Sequence, residues 1–100
     1  MQYFPIDTST RNDCIEVTAP VALEAKGIMA AIREVKAMIE AGEVADHGAI
    51  CWDSDRVERV IRLTTVSKGQ PRYETMKRSA TSHFAIGLYT SAIKRYRQTQ

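Results

Sequence analysis

The stretch from Pro20 to Ala41, PVALEAKGIMAAIREVKAMIEA, carries the clearest structural pattern in this 100-residue chain. Its large apolar residues recur at intervals of seven, four and three positions, the spacing of an amphipathic helix that buries one face. They are Val21, Ile28, Ile32, Val35 and Ile39, with Ala25, Ala31 and Met38 on the same face. Pro20 is tolerated in a first helical turn, and Gly42 can close a helix in a left-handed conformation. The pattern predicts a helix of about six turns over 20–41, with Gly27 as its internal weak point.

Short extended segments are predicted on both sides of this helix. Residues 2–6 carry Tyr3, Phe4 and Ile6, and residues 14–18 alternate apolar with polar side chains. The polar stretch 8–13 between them has turn composition. Pro5 indicates that the first of these strands is an edge or an arm, because proline donates no ladder hydrogen bond. Residues 49–66 are rich in β-branched side chains and predict a hairpin that turns at Asp53-Ser54-Asp55. A short helix capped by Ser54 is the alternative for this stretch.

The C-terminal third has a helical pattern whose apolar face changes direction. Residues 73, 76, 80 and 84 share one stripe, whereas residues 89, 93 and 96 lie on nearly the opposite side of a straight helix. A break near Gly87 would let both parts face one core. We therefore predict two helices, roughly 72–85 and 88–98, the first of them opened by Pro71.

These elements predict an α+β fold in one small domain that spans residues 1–100. It has a long central helix and C-terminal helices packed with short antiparallel strands, and a mainly α fold is the alternative. No apolar run reaches the roughly 20 residues of a membrane helix, and the first residues lack a secretory signal pattern. Two cysteines in a chain with this aliphatic content need not form a disulfide. We expect a cytoplasmic protein with reduced thiols and no membrane contact.

Residues that could support catalysis or bind a metal are few and poorly spaced. Cys14, His47, Cys51 and His83 include no C-x2-C pair, and only His47 and Cys51 are close in sequence. The acids of Asp53-Ser54-Asp55 could hold Mg²⁺, but Asp and Ser are also the usual residues of turns. The five glycines form no phosphate-binding fingerprint. We expect no enzymatic activity, no metal and no cofactor.

Charge is distributed unevenly along the chain. Residues 1–55 hold ten carboxylates and four cations, whereas residues 56–100 hold ten cations and two carboxylates. Such asymmetry is typical of chains that bind a charged macromolecule, although the two halves can also mix their charges on one surface. The candidate binding residues are the C-terminal cations and one interleaved tyrosine: Arg72, Lys77, Arg78, Lys94, Arg95, Arg97 and Tyr89. Cations neutralise phosphates, and tyrosines can stack on bases or donate hydrogen bonds.

Residues 81–87, TSHFAIG, followed by Thr90 and the run from Ile93 to Tyr96, resemble a helix-turn-helix unit over about 20 residues. About two extra residues precede Ile93 relative to that pattern. This resemblance implies a second helix that enters the DNA major groove.

Two functional hypotheses follow from these patterns. The first is a non-enzymatic regulatory or inhibitor-type protein that binds a macromolecular partner through charged surfaces, as small proteins of mobile genetic elements do. The second is a nucleic-acid-binding protein that uses the basic C-terminal half. Either could act as a homodimer in which oppositely charged surfaces meet.

Overall fold

The computed structural model describes residues 1–7, 15–52, 56–64, 72–77 and 83–99. Within these ranges the chain forms five strands and two helices: β1 (Gln2–Pro5), β2 (Val21–Ala22), α1 (Ile28–Glu40), β3 (His47–Cys51), β4 (Val57–Thr64), β5 (Arg72–Lys77) and α2 (His83–Gln98). The strands make one antiparallel sheet in the order β2-β1-β3-β4-β5. The predicted α+β fold is confirmed.

The sheet separates two apolar cores, one under each helix. Adjacent residues of one strand pack in different cores, because successive side chains of a strand point to opposite faces of the sheet. Tyr3 packs in the core beneath α1, whereas Phe4 packs in the core beneath α2. The α1 core also contains Leu23, Ala31, Ile32, Val35, Ile39, Ile50 and Ile61. The α2 core also contains Ile6, Val17, Ala49, Cys51, Val57, Val60, Ile86, Tyr89, Ala92 and Ile93.

Helix α1 is shorter than the prediction of a helix over 20–41. It begins at Ile28, with Gly27 as an extended N-cap residue, because Val21 and Ala22 pair with β1 instead. Glu34 on α1 stabilises the connection: its Oε1 and Oε2 atoms accept the backbone N–H of Glu24 at 3.1 and 3.0 Å. The same Oε1 accepts the N–H of Ala25 at 2.9 Å.

The C-terminal end of α1 agrees with the prediction. Gly42 adopts φ 73°, a conformation that costs glycine little. The N–H of Gly42 bonds to the carbonyl of Ile39, and the N–H of Glu43 bonds to that of Met38. These two bonds form the Schellman arrangement, which satisfies the last helical carbonyls.

Strand β1 lies between β2 and β3, so the prediction that Pro5 places it at an edge is wrong. Strand β2 pairs only with Gln2 and Tyr3, so the missing N–H of Pro5 costs no bond of that ladder. On the other side, β1 pairs with β3 along its whole length, and Pro5 lies opposite Gly48. In the described part of the strand predicted at 14–18, the structure has one bridge, between Ile6 and Val17. The turn predicted at 8–13 lies outside the described residues.

Gly48 is required by the position of Tyr3. A Cβ atom at residue 48 would lie 2.5 Å from the carbonyl oxygen of Phe4 and 2.5 Å from the Cζ atom of Tyr3. The hydroxyl of Tyr3 donates a 2.7 Å hydrogen bond to the carbonyl of Ala45. Burial and the charge of Asp46 raise the pKa of Tyr3, so the phenol stays neutral and keeps this bond.

The hairpin predicted for 49–66 is confirmed in its described part by β3 and β4, while the turn at 53–55 and residues 65–66 lie outside it. The prediction of a helix over 72–85 is wrong, because residues 72–77 form β5 and extend the sheet. The hydroxyl of Tyr73 contacts Glu40 of α1 at 3.4 Å, and the amine of Lys36 lies 5.1 Å from its ring centroid. This face of β5 is thus partly covered by α1.

The break predicted at Gly87 is absent, because α2 is continuous from His83 to Gln98. The sequence predicts the break because apolar side chains would otherwise lie on opposite sides of one helix. Residues 73 and 76 lie on a strand, so they do not share a helix with residues 89, 93 and 96. Because α2 is continuous through Gly87, it also lacks the turn that the helix-turn-helix resemblance implies.

Candidate partner-binding surface

One side of α2 carries the core and the other carries exposed cations. Ile86, Tyr89, Ala92 and Ile93 are buried against the sheet, because they fall at helical intervals on one face. Lys94, Arg95 and Arg97 are exposed. We call these three residues the basic end of α2. Positive charge there is favoured by the partial negative charge of the last helical carbonyls.

Two guanidinium groups of the basic end of α2 are held by the N-terminal part of the chain. The Nη2 atom of Arg95 donates a 2.7 Å hydrogen bond to the carbonyl of Ile15. The Nη2 atom of Arg97 lies 3.3 Å from the Oε1 atom of Gln2, and its guanidinium carbon lies 5.3 Å from the ring centroid of Phe4. The carbonyl of Ile15 and the amide oxygen of Gln2 are neutral acceptors, and these contacts position the two guanidinium groups.

A cleft of about 290 Å³ opens beside Arg95. One wall is the short segment that contains Glu16 and Val17, and the other wall is the last two turns of α2. Its lining residues are Glu16, Val17, Ala92, Arg95, Tyr96 and Thr99. We call this space the α2 cleft. It combines apolar, aromatic, cationic and acidic groups within one small volume.

The remaining predicted binding residues lie elsewhere. Arg72 and Lys77 are on β5, at the opposite edge of the sheet from β2. The basic end of α2 lies over β1, and three strand spacings, about 14 Å, separate β1 from β5. Arg78 lies outside the described residues. The structure brings Lys94, Arg95 and Arg97 together. The β5 positions of Arg72 and Lys77 lie away from them.

Tyr89 is a core residue. Only 7% of it is exposed, and its hydroxyl lies 2.7 Å from the Nε2 atom of His47 on β3. Burial raises the pKa of Tyr89, although the charge of Arg62 acts in the opposite direction. Burial lowers the pKa of His47, and Arg62 lowers it further, while Asp46 opposes both effects. The pair is therefore neutral near pH 7 and joins α2 to the sheet.

The side chains that complete the α2 cleft carry no local sequence signal. Ile15 and Arg95 are 80 positions apart, and their contact depends on the bridge between Ile6 and Val17. Tyr96 belongs to the apolar stripe predicted for residues 89, 93 and 96, but that pattern does not indicate a cleft beside it. Its ring meets Phe4 edge to face, with centroids 6.2 Å apart, and this contact fixes it at the cleft wall.

The described residues contain no group of three His, Cys, Asp or Glu side chains placed to hold a metal ion. Of the four residues considered for zinc, Cys51 is buried in the α2 core and His47 contacts Tyr89. Cys14 lies outside the described residues, as does the side chain of His83.

Comparison of the chain with protein-family models, with curated proteins and with solved structures finds no match. Neither helix in the described ranges has the length and apolar character that crossing a bilayer requires.

Proposed function

We propose that this protein binds a macromolecular partner without catalysing a reaction, and that it regulates or inhibits the partner by covering part of its surface. The partner presents an acidic surface to the basic end of α2. The cytoplasmic location expected from the sequence belongs to the same proposal.

The observation that carries the proposal is the arrangement of Lys94, Arg95 and Arg97. All three are exposed, and two of them are positioned by neutral oxygen atoms. A guanidinium that is already fixed loses less conformational freedom when it binds a carboxylate or a phosphate. The neighbouring residues Ala92 and Ile93 anchor this turn of α2 in the core. Arg95 and Arg97 are therefore held in position before a partner arrives.

The test compares two triple variants that remove the same charge from opposite faces of the molecule. One is Lys94→Gln/Arg95→Gln/Arg97→Gln. The matched control is Lys26→Gln/Arg33→Gln/Lys36→Gln on the α1 side. Binding of fluorescent poly-glutamate and of random-sequence duplex DNA is followed by anisotropy as salt is varied.

We expect the wild-type protein and the α1-side control to bind poly-glutamate, and the α2 variant to bind at least about tenfold more weakly, a loss of about 1.4 kcal/mol. Equal binding by the two variants would contradict the proposal. Strong binding to DNA, with a salt slope that falls by about 1 for each phosphate contact removed, would favour the nucleic-acid alternative.

A further inference from the structure

The α2 cleft has walls that are fixed before any ligand enters. Arg95 is tied to the carbonyl of Ile15, and the ring of Tyr96 packs edge-on against Phe4. The hydroxyl of Thr99 donates a 2.8 Å bond to the carbonyl of Tyr96. On the other wall, the N–H of Asp7 bonds to the carbonyl of Glu16 at 2.8 Å. Fixed walls reduce the ordering cost of binding.

The cleft is large enough for one large side chain. Its volume of about 290 Å³ lies at the lower limit of pockets that hold small ligands, which is about 300 Å³. Protein interfaces commonly concentrate their binding energy where one large residue fills such a pocket, and tryptophan, tyrosine and arginine are enriched at these positions.

The residues that line the α2 cleft favour a particular kind of partner side chain. Val17 and Ala92 are buried, so they offer an apolar floor, and Tyr96 adds an aromatic wall. A guanidinium such as that of Arg95 interacts favourably with the face of an aromatic ring. Glu16 is exposed on the opposite wall, where its carboxylate can accept a hydrogen bond from an O–H or N–H donor.

The same lining disfavours a nucleic-acid strand in the cleft. Glu16 shares the cleft with Arg95, and the last carbonyls of α2 add partial negative charge. A phosphate backbone carries a charge at every nucleotide, so a strand in the cleft would place phosphates beside Glu16, whereas the acidic residues of a protein partner can lie outside the cleft, beside Lys94. A neutral ring with a donor at its tip meets no such repulsion.

We infer that the α2 cleft receives a tyrosine or tryptophan side chain of a partner protein, with the ring between Arg95 and Tyr96 and its donor group directed to Glu16. This inference rests on the proposed function and specifies the partner as a protein surface that carries an aromatic residue among acidic ones. The acidic neighbours would meet Lys94 and Arg97 beside the cleft.

The test uses three blocked tripeptides of equal charge, N-acetyl-Glu-X-Glu-amide, in which X is Tyr, Phe or Ala. Each is added to the ¹⁵N-labelled protein, and the amide signals of Glu16, Val17 and Thr99 are followed by NMR. We expect the Tyr peptide to shift these amide signals in a saturable way, with a dissociation constant of about 1 mM. The Phe peptide should bind about fivefold more weakly, because it lacks the donor.

Two variants place a phenylalanine at exposed positions at the C-terminal end of α2, one at its last residue and one at the residue that follows. Thr99→Phe places a ring in the lining of the cleft and should abolish the shifts, whereas Gln98→Phe lies outside the lining and should preserve them. Equal shifts with the Tyr and Ala peptides, or no effect of Thr99→Phe, would overturn the inference. Equal affinity for the Tyr and Phe peptides would overturn the assigned role of Glu16.

The two proposals fail in different measurements. Loss of the difference between the two charge variants contradicts the proposed function, whatever the tripeptides do. Loss of the difference between tripeptides of equal charge contradicts only the aromatic occupant of the cleft.

Discussion

His47 and Tyr89 meet across the interface between β3 and α2, with 2.7 Å between the Nε2 atom and the hydroxyl oxygen. Their rings pack edge to face, with centroids 5.6 Å apart and planes at 70°. Arg62 lies opposite His47 on β4, so a second positive charge at residue 47 would be repelled. The contact therefore favours a neutral imidazole, and it holds the middle of α2 on the sheet.

This relationship predicts that stability decreases on mild acidification. The pKa of His47 is lowered in the folded protein, so the unfolded chain binds more protons below the ordinary histidine pKa of about 6.5. The contribution of neutral His47 to the free energy of unfolding should be complete above that pH. It should decrease as the pH falls towards the lowered pKa of the folded state. Urea midpoints of the wild-type protein and of His47→Gln, measured between about pH 7.5 and 5.5, test this. Parallel pH profiles for the two proteins would contradict it.

Ile32 and Met29 on α1 should respond very differently to truncation. Ile32 is 6% exposed in the α1 core, so Ile32→Ala should cost about 2–5 kcal/mol of unfolding free energy. Met29 is 61% exposed, so Met29→Ala should change stability by less than about 0.5 kcal/mol. Denaturant melts of both variants measure the difference. A loss below about 0.5 kcal/mol for Ile32→Ala would mean that this face of α1 does not form a core.

Gly48 and Gly27 provide a second matched pair. Gly48→Ala places a methyl group against Tyr3 and the backbone of Phe4, so we expect a loss of about 1–3 kcal/mol, typical of overpacking. A Cβ at Gly27 meets no atom within 4 Å, so Gly27→Ala carries no overpacking cost and should lose at most about 1 kcal/mol, because Ala is a poorer N-cap residue than Gly. Thermal or urea unfolding of the two variants distinguishes the sites. Similar losses would show that Tyr3 does not lie over residue 48.

Glu34 should stabilise the connection between β2 and α1. Glu34→Ala removes the acceptor for two backbone N–H groups, and we expect it to cost about 1 kcal/mol, since the contacts are partly solvated. Glu34→Gln keeps one acceptor oxygen and should lose less. Arg33→Ala, at an exposed neighbouring position, is the control. Amide hydrogen exchange at residues 24 and 25 should accelerate in Glu34→Ala but not in the control. Unchanged exchange there would contradict the role of Glu34.

The sequence pattern predicted the core face and the C-terminal end of α1 but not its start. Ala31, Ile32, Val35 and Ile39 are buried as their spacing required, and Gly42 closes the helix. The apolar side chain of Val21 fitted the helical period equally well. Its place in β2 is decided by pairing with Tyr3, a contact 18 positions away that local periodicity does not record.

The same limitation affected β5 and the candidate site. Residues 72–77 can follow a helical pattern, but β4 offers them a free edge, and pairing with it satisfies their backbone. The exposed cations of α2 could be predicted because a helix with buried Ile93 must turn residues 94 and 95 away from the core. The α2 cleft could not, because its two walls come from segments about 80 positions apart.

The contact between Gln2 and Arg97 places the first strand beside the last turn of the last helix. A bulky label attached at Gln2 or at Gln98 would therefore lie next to the basic end of α2 and compete with whatever docks there. The same proximity makes these two positions useful as reporters. A small fluorophore at either position would sense occupation of that surface, whereas one attached at Met29 on the opposite face of the sheet would not.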